Sequence, residues 1–187
     1  DGFMVDVEAD LSQGLPGFDV VGLPDAAVRE SRDRVRAALK NAGFTYPVSR
    51  ITVNLAPADV KKEGPVYDLP LLLALLTASG QLRAALDGSA FIGELSLQGL
   101  VRPVRGVLPM VIAARDAGIR RVYVPAENGA EASVVDDLEI YPVETVAGLL
   151  EHLTGAAPMT PLQPADPESE MLPLQADFAD VMGQETA

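Results

Sequence analysis

The chain has 187 residues, of which 48% are hydrophobic, and carries a formal net charge of −13 at pH 7. This length and apolar content predict one sizeable folded domain and exclude a largely disordered chain. The absence of cysteine excludes disulfides, cysteine-ligated zinc and thiol catalysis, and it fits a cytoplasmic location. The acidity argues against a nucleic-acid-binding surface over the whole protein. Six acidic residues and no basic residue lie after Leu153, however, so a local basic face on the preceding part stays open.

The chain predicts alternating strands and helices. Strands are expected where β-branched and aromatic residues cluster, at 3–9, 18–23, 50–56, 90–97, 101–104, 121–125 and 138–143. Helices are expected at the capped or apolar segments 24–42, 69–80, 106–117, 126–135 and 145–153. This alternation is typical of an α/β fold with a mixed sheet.

Local signals refine these predictions. The turn residues of segment 13–17 indicate that the first two strands pair as a hairpin. Gly43 is a natural stop for the first helix, and Asp68 is placed to cap the second. The longest apolar run, 69–78, is about half of the roughly 20 residues that a membrane-spanning helix needs, so no membrane contact is predicted.

Catalytic and metal-binding motifs are not found in the sequence. Its lysines are Lys40, Lys61 and Lys62, and none follows a glycine as a phosphate-binding GxxxxGK[ST] loop requires. The single histidine, His152, is predicted to be a surface residue rather than a ligand. No cluster of acids has a recognisable ligand spacing, so no metal site is predicted.

A basic helix allows two interpretations. It carries five cations, which are Arg29, Arg32, Arg34, Arg36 and Lys40. The favoured interpretation is a solvated face with the i,i+4 pairs Arg29–Asp33 and Glu30–Arg34. The alternative is a contact surface for DNA or a neighbouring subunit, with Arg29, Arg32 and Arg36 as candidates.

Four segments in order resemble one family. They are GLPGFDVVGLPDAAVRESRDRVRAALKNAGF (14–44), RITVNLAPADVKKEG-x-x-x-DLP (50–70), FIGELSLQG-x-VRPVRGVLP (91–109) and AARDAGIRRVYVPAENGAEA (113–132). Together they resemble the ChlI-like N-terminal domain of the Mg-chelatase-like AAA+ ATPases, the ComM/YifB family. The resemblance covers about residues 1–153. It implies the ribosomal protein S5 domain 2-like, Lon-protease-like α/β sandwich.

The resemblance also implies a lost active site. In Lon-type proteases a Gly-Pro pair precedes the nucleophilic serine, and that position falls on Val66 here. The general-base lysine follows a Pro-x-x-Gly turn, and its position falls on Leu108. A Ser–Lys dyad needs an amine that takes the serine proton, which neither hydrocarbon can supply. No catalytic residue is therefore predicted. The remaining cations near that cleft are Lys61, Lys62, Arg102 and Arg105. They are candidate contacts for DNA or an acidic partner, and the alternative is that they are solvated side chains with no binding role.

The family implies three segments and a function. Residues 1–153 are expected to form the Lon-protease-like domain, 154–176 a Pro-rich acidic linker, and 177–187 the start of a truncated AAA+ domain. The domain itself is expected to hold no cofactor, whereas Mg-ATP is implied for the full-length protein. That protein is expected to form a ring, a hexamer, and to act on DNA in branch migration during natural transformation or recombination. The alternatives are a cryptic Lon-like serine peptidase and an assembly scaffold of a chelatase-like complex.

Overall fold

The computed structural model describes residues 2–164 and shows a mixed α/β domain. Its strands are β1 (Asp6–Ser12), β2 (Gly17–Val21), β3 (Arg50–Ala56), β4 (Ser89–Phe91), β5 (Glu94–Leu95), β6 (Val101–Arg102), β7 (Arg121–Pro125) and β8 (Glu139–Val143). Its α-helices are α1 (Ala26–Asn41), α2 (Asp68–Ala78), α3 (Val107–Asp116), α4 (Gly129–Ala132) and α5 (Val146–Leu153). Short 3₁₀ turns at Pro65–Tyr67 and Ala126–Asn128 precede α2 and α4.

The first sheet has the order β1-β3-β2, so the predicted hairpin of the first two strands is wrong. Strand β3 lies between them, antiparallel to β1 and parallel to β2. The side chains of Ile51, Val53 and Leu55 on β3 are buried, as expected for a central strand. A short connection such as 13–16 can close a hairpin or step over one strand. Local turn residues could not distinguish these two outcomes.

The predicted strand 90–97 is divided at Gly93. Strand β4 ends before this residue and joins a parallel sheet of order β4-β7-β8, while β5 pairs with β6 in a separate antiparallel sheet. Gly93 donates to the Val66 carbonyl at 3.2 Å and accepts from the Leu69 amide at 3.1 Å. A Cβ atom at Gly93 would lie 2.7 Å from Val101 Cγ1. The strand breaks because its backbone turns to meet the start of α2.

The two long helices form the core with the first sheet. Helix α1 begins after Asp25, whose carboxylate accepts the Val28 amide proton at 2.8 Å, and Gly43 follows its end with φ of 83°. Helix α2 buries six leucines, as its apolar sequence predicts, and packs against β1 and α1. A second buried cluster joins α3 to β7 and β8. Burial of one leucine side chain stabilises the fold by about 1.5–3 kcal/mol.

The first part of the predicted linker packs against the domain. The Ala157 amide donates to the Glu151 carbonyl at 3.1 Å, and the Leu162 amide donates to the Ile140 carbonyl at 2.7 Å. The Leu162 side chain lies so close to Gly129 that a Cβ atom there would be 2.8 Å from Leu162 Cδ1. The rest of the predicted linker and the predicted start of an AAA+ domain, 177–187, lie outside the described residues.

Candidate functional site

The loop before α2 is fixed to the N-terminus of α1. The Lys62 amide donates to the Leu23 carbonyl, and the Asp25 amide donates to the Lys62 carbonyl, both at 3.0 Å. The second carboxylate oxygen of Asp25 accepts the Gly64 amide proton at 2.9 Å. Gly64 has φ of 81°, a conformation that favours glycine. One aspartate therefore caps α1 and sets the course of the loop.

The two lysines of this loop differ in accessibility. Lys62 is fully buried, and its Nζ donates to the Pro57 carbonyl. The Lys62 ammonium group is thus withdrawn from solvent, and this burial disfavours the predicted contact of Lys62 with DNA or a partner. Lys61 is exposed, and its Nζ lies 2.7 Å from a Glu63 carboxylate oxygen, which raises the pKa of Lys61.

The two arginines of the predicted set lie on another part of the site. Arg102 ends β6 and Arg105 lies in the turn before α3, and both are exposed. Asn128 holds this turn through two hydrogen bonds with the backbone of Val104, each 3.0 Å long. Neither arginine forms an ion pair with an acid in residues 2–164.

The two positions where the resemblance to Lon-type proteases implies a nucleophile and a base pack against one apolar cluster. Val66 and Leu108 are both half-buried against the cluster that contains Val107 and Val111. The neighbouring hydroxyl, Tyr67, has its pKa raised by burial and secondly by Asp25, so it stays protonated at neutral pH. The Val66 and Leu108 side chains thus pack against other apolar side chains, and neither can act as a nucleophile or a base.

An open groove adjoins Val66. It has a volume of about 720 Å³ and lies between β1, α2, β4 and the end of α3. Apolar side chains form much of its lining, and its charged lining residues are Asp6, Glu8 and Asp87. No basic residue of the described chain lines it. An acidic groove repels a phosphate backbone, so the cleft itself does not suit DNA.

Asp68 forms a buried network that the sequence did not reveal. The prediction that it caps α2 is wrong, because Tyr67 is the N-cap residue and Asp68 is the first helical residue. Its carboxylate, fully buried, accepts from Ser31 Oγ on α1 and from the Leu95 amide at 3.0 Å. Arg34 completes the network, and its hydrogen bond to Asp68 raises the pKa of Arg34. The sequence did offer one indication of this network: Ser31 is a polar residue among the buried apolar residues of α1, and a buried hydroxyl needs a hydrogen-bond partner.

The exposed face of α1 carries a row of cations, defined here as the basic stripe: Arg29, Arg32, Arg36 and Lys40. Arg32 lies 3.3 Å from Asp33, so the predicted Arg29–Asp33 pair is wrong. The predicted Glu30–Arg34 pair is confirmed, at 3.8 Å. The guanidinium of Arg36 lies 5.3 Å from the ring centre of Tyr46.

His152 is half-buried rather than a surface residue as predicted. Its Nδ1 accepts the Met159 amide proton at 2.8 Å, so the neutral ring carries its proton on Nε2, 3.0 Å from Tyr123 Oη. The ring also lies 4.9 Å from that of Tyr141. Burial and the charge of Arg121 lower the pKa of His152.

Among residues 2–164, no group of three His, Cys, Asp or Glu side chains could hold a metal ion. The sequence also lacks the loop that wraps the phosphates of ATP. In the same part of the chain, no helix is long and apolar enough to cross a bilayer.

The chain matches one family model and is similar in sequence to several known proteins. Residues 7–128 match the family described as "Subunit ChlI of Mg-chelatase". The chain is 48% identical over 191 residues to an uncharacterized protein of Mycobacterium tuberculosis, covering 100% of this chain and 37% of that protein. It is 46% identical over 153 residues to competence protein ComM of Haemophilus influenzae, covering 81% and 30%. It is 41% identical over 182 residues to the uncharacterized protein YifB of Escherichia coli, covering 97% and 35%.

The chain therefore spans about a third of the length of these relatives. A more distant similarity links it to the Lon protease of Mycolicibacterium smegmatis, at 30% identity over 156 residues, covering 77% of this chain and 20% of that protein. The similarity to a protease supports a Lon-like relationship for this domain.

Proposed function

Because the chain belongs to the family of the Mg-chelatase subunit ChlI, as the ChlI-like N-terminal domain of the ComM/YifB family, we propose that it is a non-catalytic module of a Mg-chelatase-like AAA+ ATPase that acts on DNA. We further propose that the domain has the ribosomal protein S5 domain 2-like sandwich of Lon-type proteases. The Lon protease relative and the mixed α/β architecture support this assignment.

One observation carries the non-catalytic role. Val66 and Leu108 stand where the resemblance places a serine and a lysine, and both pack into one apolar cluster. Lys62 precedes this part of the fold, and no lysine follows it in the sequence. Since Lys62 is itself fully buried against Pro57, it is not available as a substitute base. The scaffold is retained for binding or positioning rather than for peptide hydrolysis.

The proposed action on DNA is supported by the similarity to the relatives. One of them is named a competence protein, and this chain covers 30% of its length. In the proposed protein, a region outside this chain binds Mg-ATP and hydrolyses it, and the subunits form a cytoplasmic ring, a hexamer. Its work is the migration of branched DNA in transformation or recombination. The domain described here guides the DNA or helps to assemble the ring.

A second candidate is a scaffold for protein contacts in a chelatase-like complex. The groove beside Val66 favours it, because an apolar floor with an acidic rim suits a protein segment better than a phosphate backbone. This candidate needs no contact between the domain and DNA. A cryptic peptidase, in contrast, finds no support in the site.

The test measures ATP hydrolysis by the longer protein with and without four-way-junction DNA. A protein in which residues 2–164 are deleted serves for comparison. The proposal predicts an ATPase that junction DNA stimulates several-fold, with the stimulation reduced by the deletion. An ATPase that is indifferent to every DNA would contradict the proposed action and favour the scaffold.

A further inference from the structure

We propose that the basic stripe of α1 is the surface on which this domain holds the phosphate backbone of DNA. The inference rests on the proposed function and names its contact site. It replaces the loop and turn cations that the sequence favoured. The four side chains of the stripe are exposed, while Val28, Val35 and Leu39, which lie on the neighbouring face of the helix, are fully buried. The packing therefore fixes which face of α1 is turned to solvent.

Helical geometry aligns the stripe. The spacings of three, four and four residues from Arg29 to Lys40 place the side chains within an arc of about 80°. The rise of the helix spreads them over about 16 Å. A DNA duplex presents about nine phosphate charges over that length. The stripe can thus follow a backbone without reading base sequence.

The ion pairs leave the stripe a net positive surface. Arg29, Arg36 and Lys40 have no acidic group within 4.0 Å in residues 2–164. Arg32 is paired with Asp33, but both side chains are more than half exposed, and such a pair is weak and readily exchanged. Asp33 lies about 20° outside this arc, next to its edge, whereas Glu30 lies farther round the helix and pairs with Arg34.

The alternative cations form a weaker surface. Lys62 is buried, and Lys61 is paired with Glu63. Arg102 and Arg105 are exposed, but they are two charges on separate elements, a strand and a turn. The groove that adjoins Val66 carries only carboxylates among its charged lining residues. Among the described residues, α1 offers the longest continuous row of exposed cations.

The experiment measures binding of fluorescein-labelled single-stranded and four-way-junction DNA to the 187-residue chain by anisotropy, over a series of NaCl concentrations. The stripe variant carries Arg29→Gln, Arg36→Gln and Lys40→Gln. The matched control carries Arg102→Gln, Arg105→Gln and Lys61→Gln, which also removes three charges. Circular dichroism and thermal unfolding check that both variants are folded.

The stripe variant is expected to lose about tenfold or more in affinity, by the same factor for unrelated sequences. The slope of log affinity against log salt should fall by about two to three, because each lost phosphate contact removes about 0.9. The control should stay within about twofold of the unmodified chain. A third variant, Asp33→Asn, should bind more tightly, because it removes the carboxylate that pairs with Arg32 of the stripe.

Four results would overturn the inference. One is an equal loss in the stripe variant and the control, and another is no loss in the stripe variant while the unmodified chain binds DNA. The third is no binding of DNA by the unmodified chain at 20 mM NaCl. The fourth is a stripe that binds poly-glutamate in preference to DNA, which would assign it to an acidic protein partner. None of these decides the proposed function, because DNA-stimulated ATP hydrolysis by the longer protein is measured independently.

Discussion

Asp68 and Arg34 join two helices through a buried carboxylate. Arg34 Nε and Nη2 on α1 donate to Asp68 on α2 at 2.6 and 3.1 Å. The Asp68 side chain is fully buried, whereas that of Arg34 keeps 19% of its surface exposed. The same carboxylate accepts the Leu95 amide proton, so it also fixes β5. This network anchors the helix that follows the former nucleophile position.

Replacement of Asp68 by Asn should destabilise the fold by about 3 kcal/mol, because it removes the buried charged partner of Arg34, leaves only the exposed Glu30 at 3.8 Å, and breaks a buried network. Urea unfolding at pH 7 measures the change. Asp33→Asn is the control, since its exposed pair with Arg32 should contribute less than about 1 kcal/mol. A cost for Asp68→Asn no larger than that of the control would show that the network is not important for stability.

Acid should weaken the fold through His152. The pKa of His152 is lowered in the folded protein by burial and by Arg121, whereas the unfolded chain has an ordinary value near 6.5. The unfolded state therefore binds the extra proton more readily, so stability is lost as pH falls from about 6.5 toward the lowered native pKa. Tyr123 and Tyr141 pack against the ring, and Tyr141 donates a hydrogen bond to Glu139; none of these three residues is changed in this test.

The effect is measured by urea unfolding at pH 7.5 and pH 5.5, for the unmodified chain and for His152→Gln. The variant should lose less stability on acidification, because glutamine does not titrate in this range. The NMR signal of the Met159 amide should shift along the same titration, since a protonated Nδ1 cannot accept its proton. A Met159 signal that ignores the titration would refute the hydrogen bond to His152.

Gly22 should not tolerate a side chain. Its φ is 105°, and a Cβ atom there would lie 2.0 Å from the Leu55 carbonyl oxygen. Backbone must move to relieve that clash, so Gly22→Ala should cost at least about 2 kcal/mol. Gly43→Ala is the control: its φ is 83°, but no atom lies within 4 Å of the added Cβ, so only about 1 kcal/mol of backbone strain is expected. Equal costs in thermal unfolding would contradict the close approach to β3.

Elements with strong local signals could be predicted from the sequence. Strand β3 and strand β7 match their predicted ranges because their apolar runs are bounded by turn residues. Helix α5 begins as expected at Thr145, whose hydroxyl accepts the Gly148 amide proton at 3.0 Å. In each case the residues that decide the structure lie within a few positions of one another.

Features that depend on distant partners could not be predicted. The order β1-β3-β2 depends on a strand that follows β2 by almost thirty residues. Lys62 looks like a solvated cation until the fold brings the Leu23 and Asp25 backbone against it. In the sequence, Asp68 resembles a helix cap. Its actual partner, Arg34, lies 34 positions away, so no local pattern reveals the pair. The charged residues of the candidate site were therefore hard to predict, because the groups that bind them lie far away in the sequence.

We propose that this Lon-like domain has no peptidase activity, and the purified 187-residue chain can be assayed for hydrolysis of a fluorogenic unstructured protein. The rate should equal that of buffer at pH 7 to 9. Val66→Ala and Leu108→Ala should give the same rate, since neither side chain takes part in bond cleavage. Turnover above buffer that co-purifies with the chain and is stopped by a serine-directed reagent would refute the proposal.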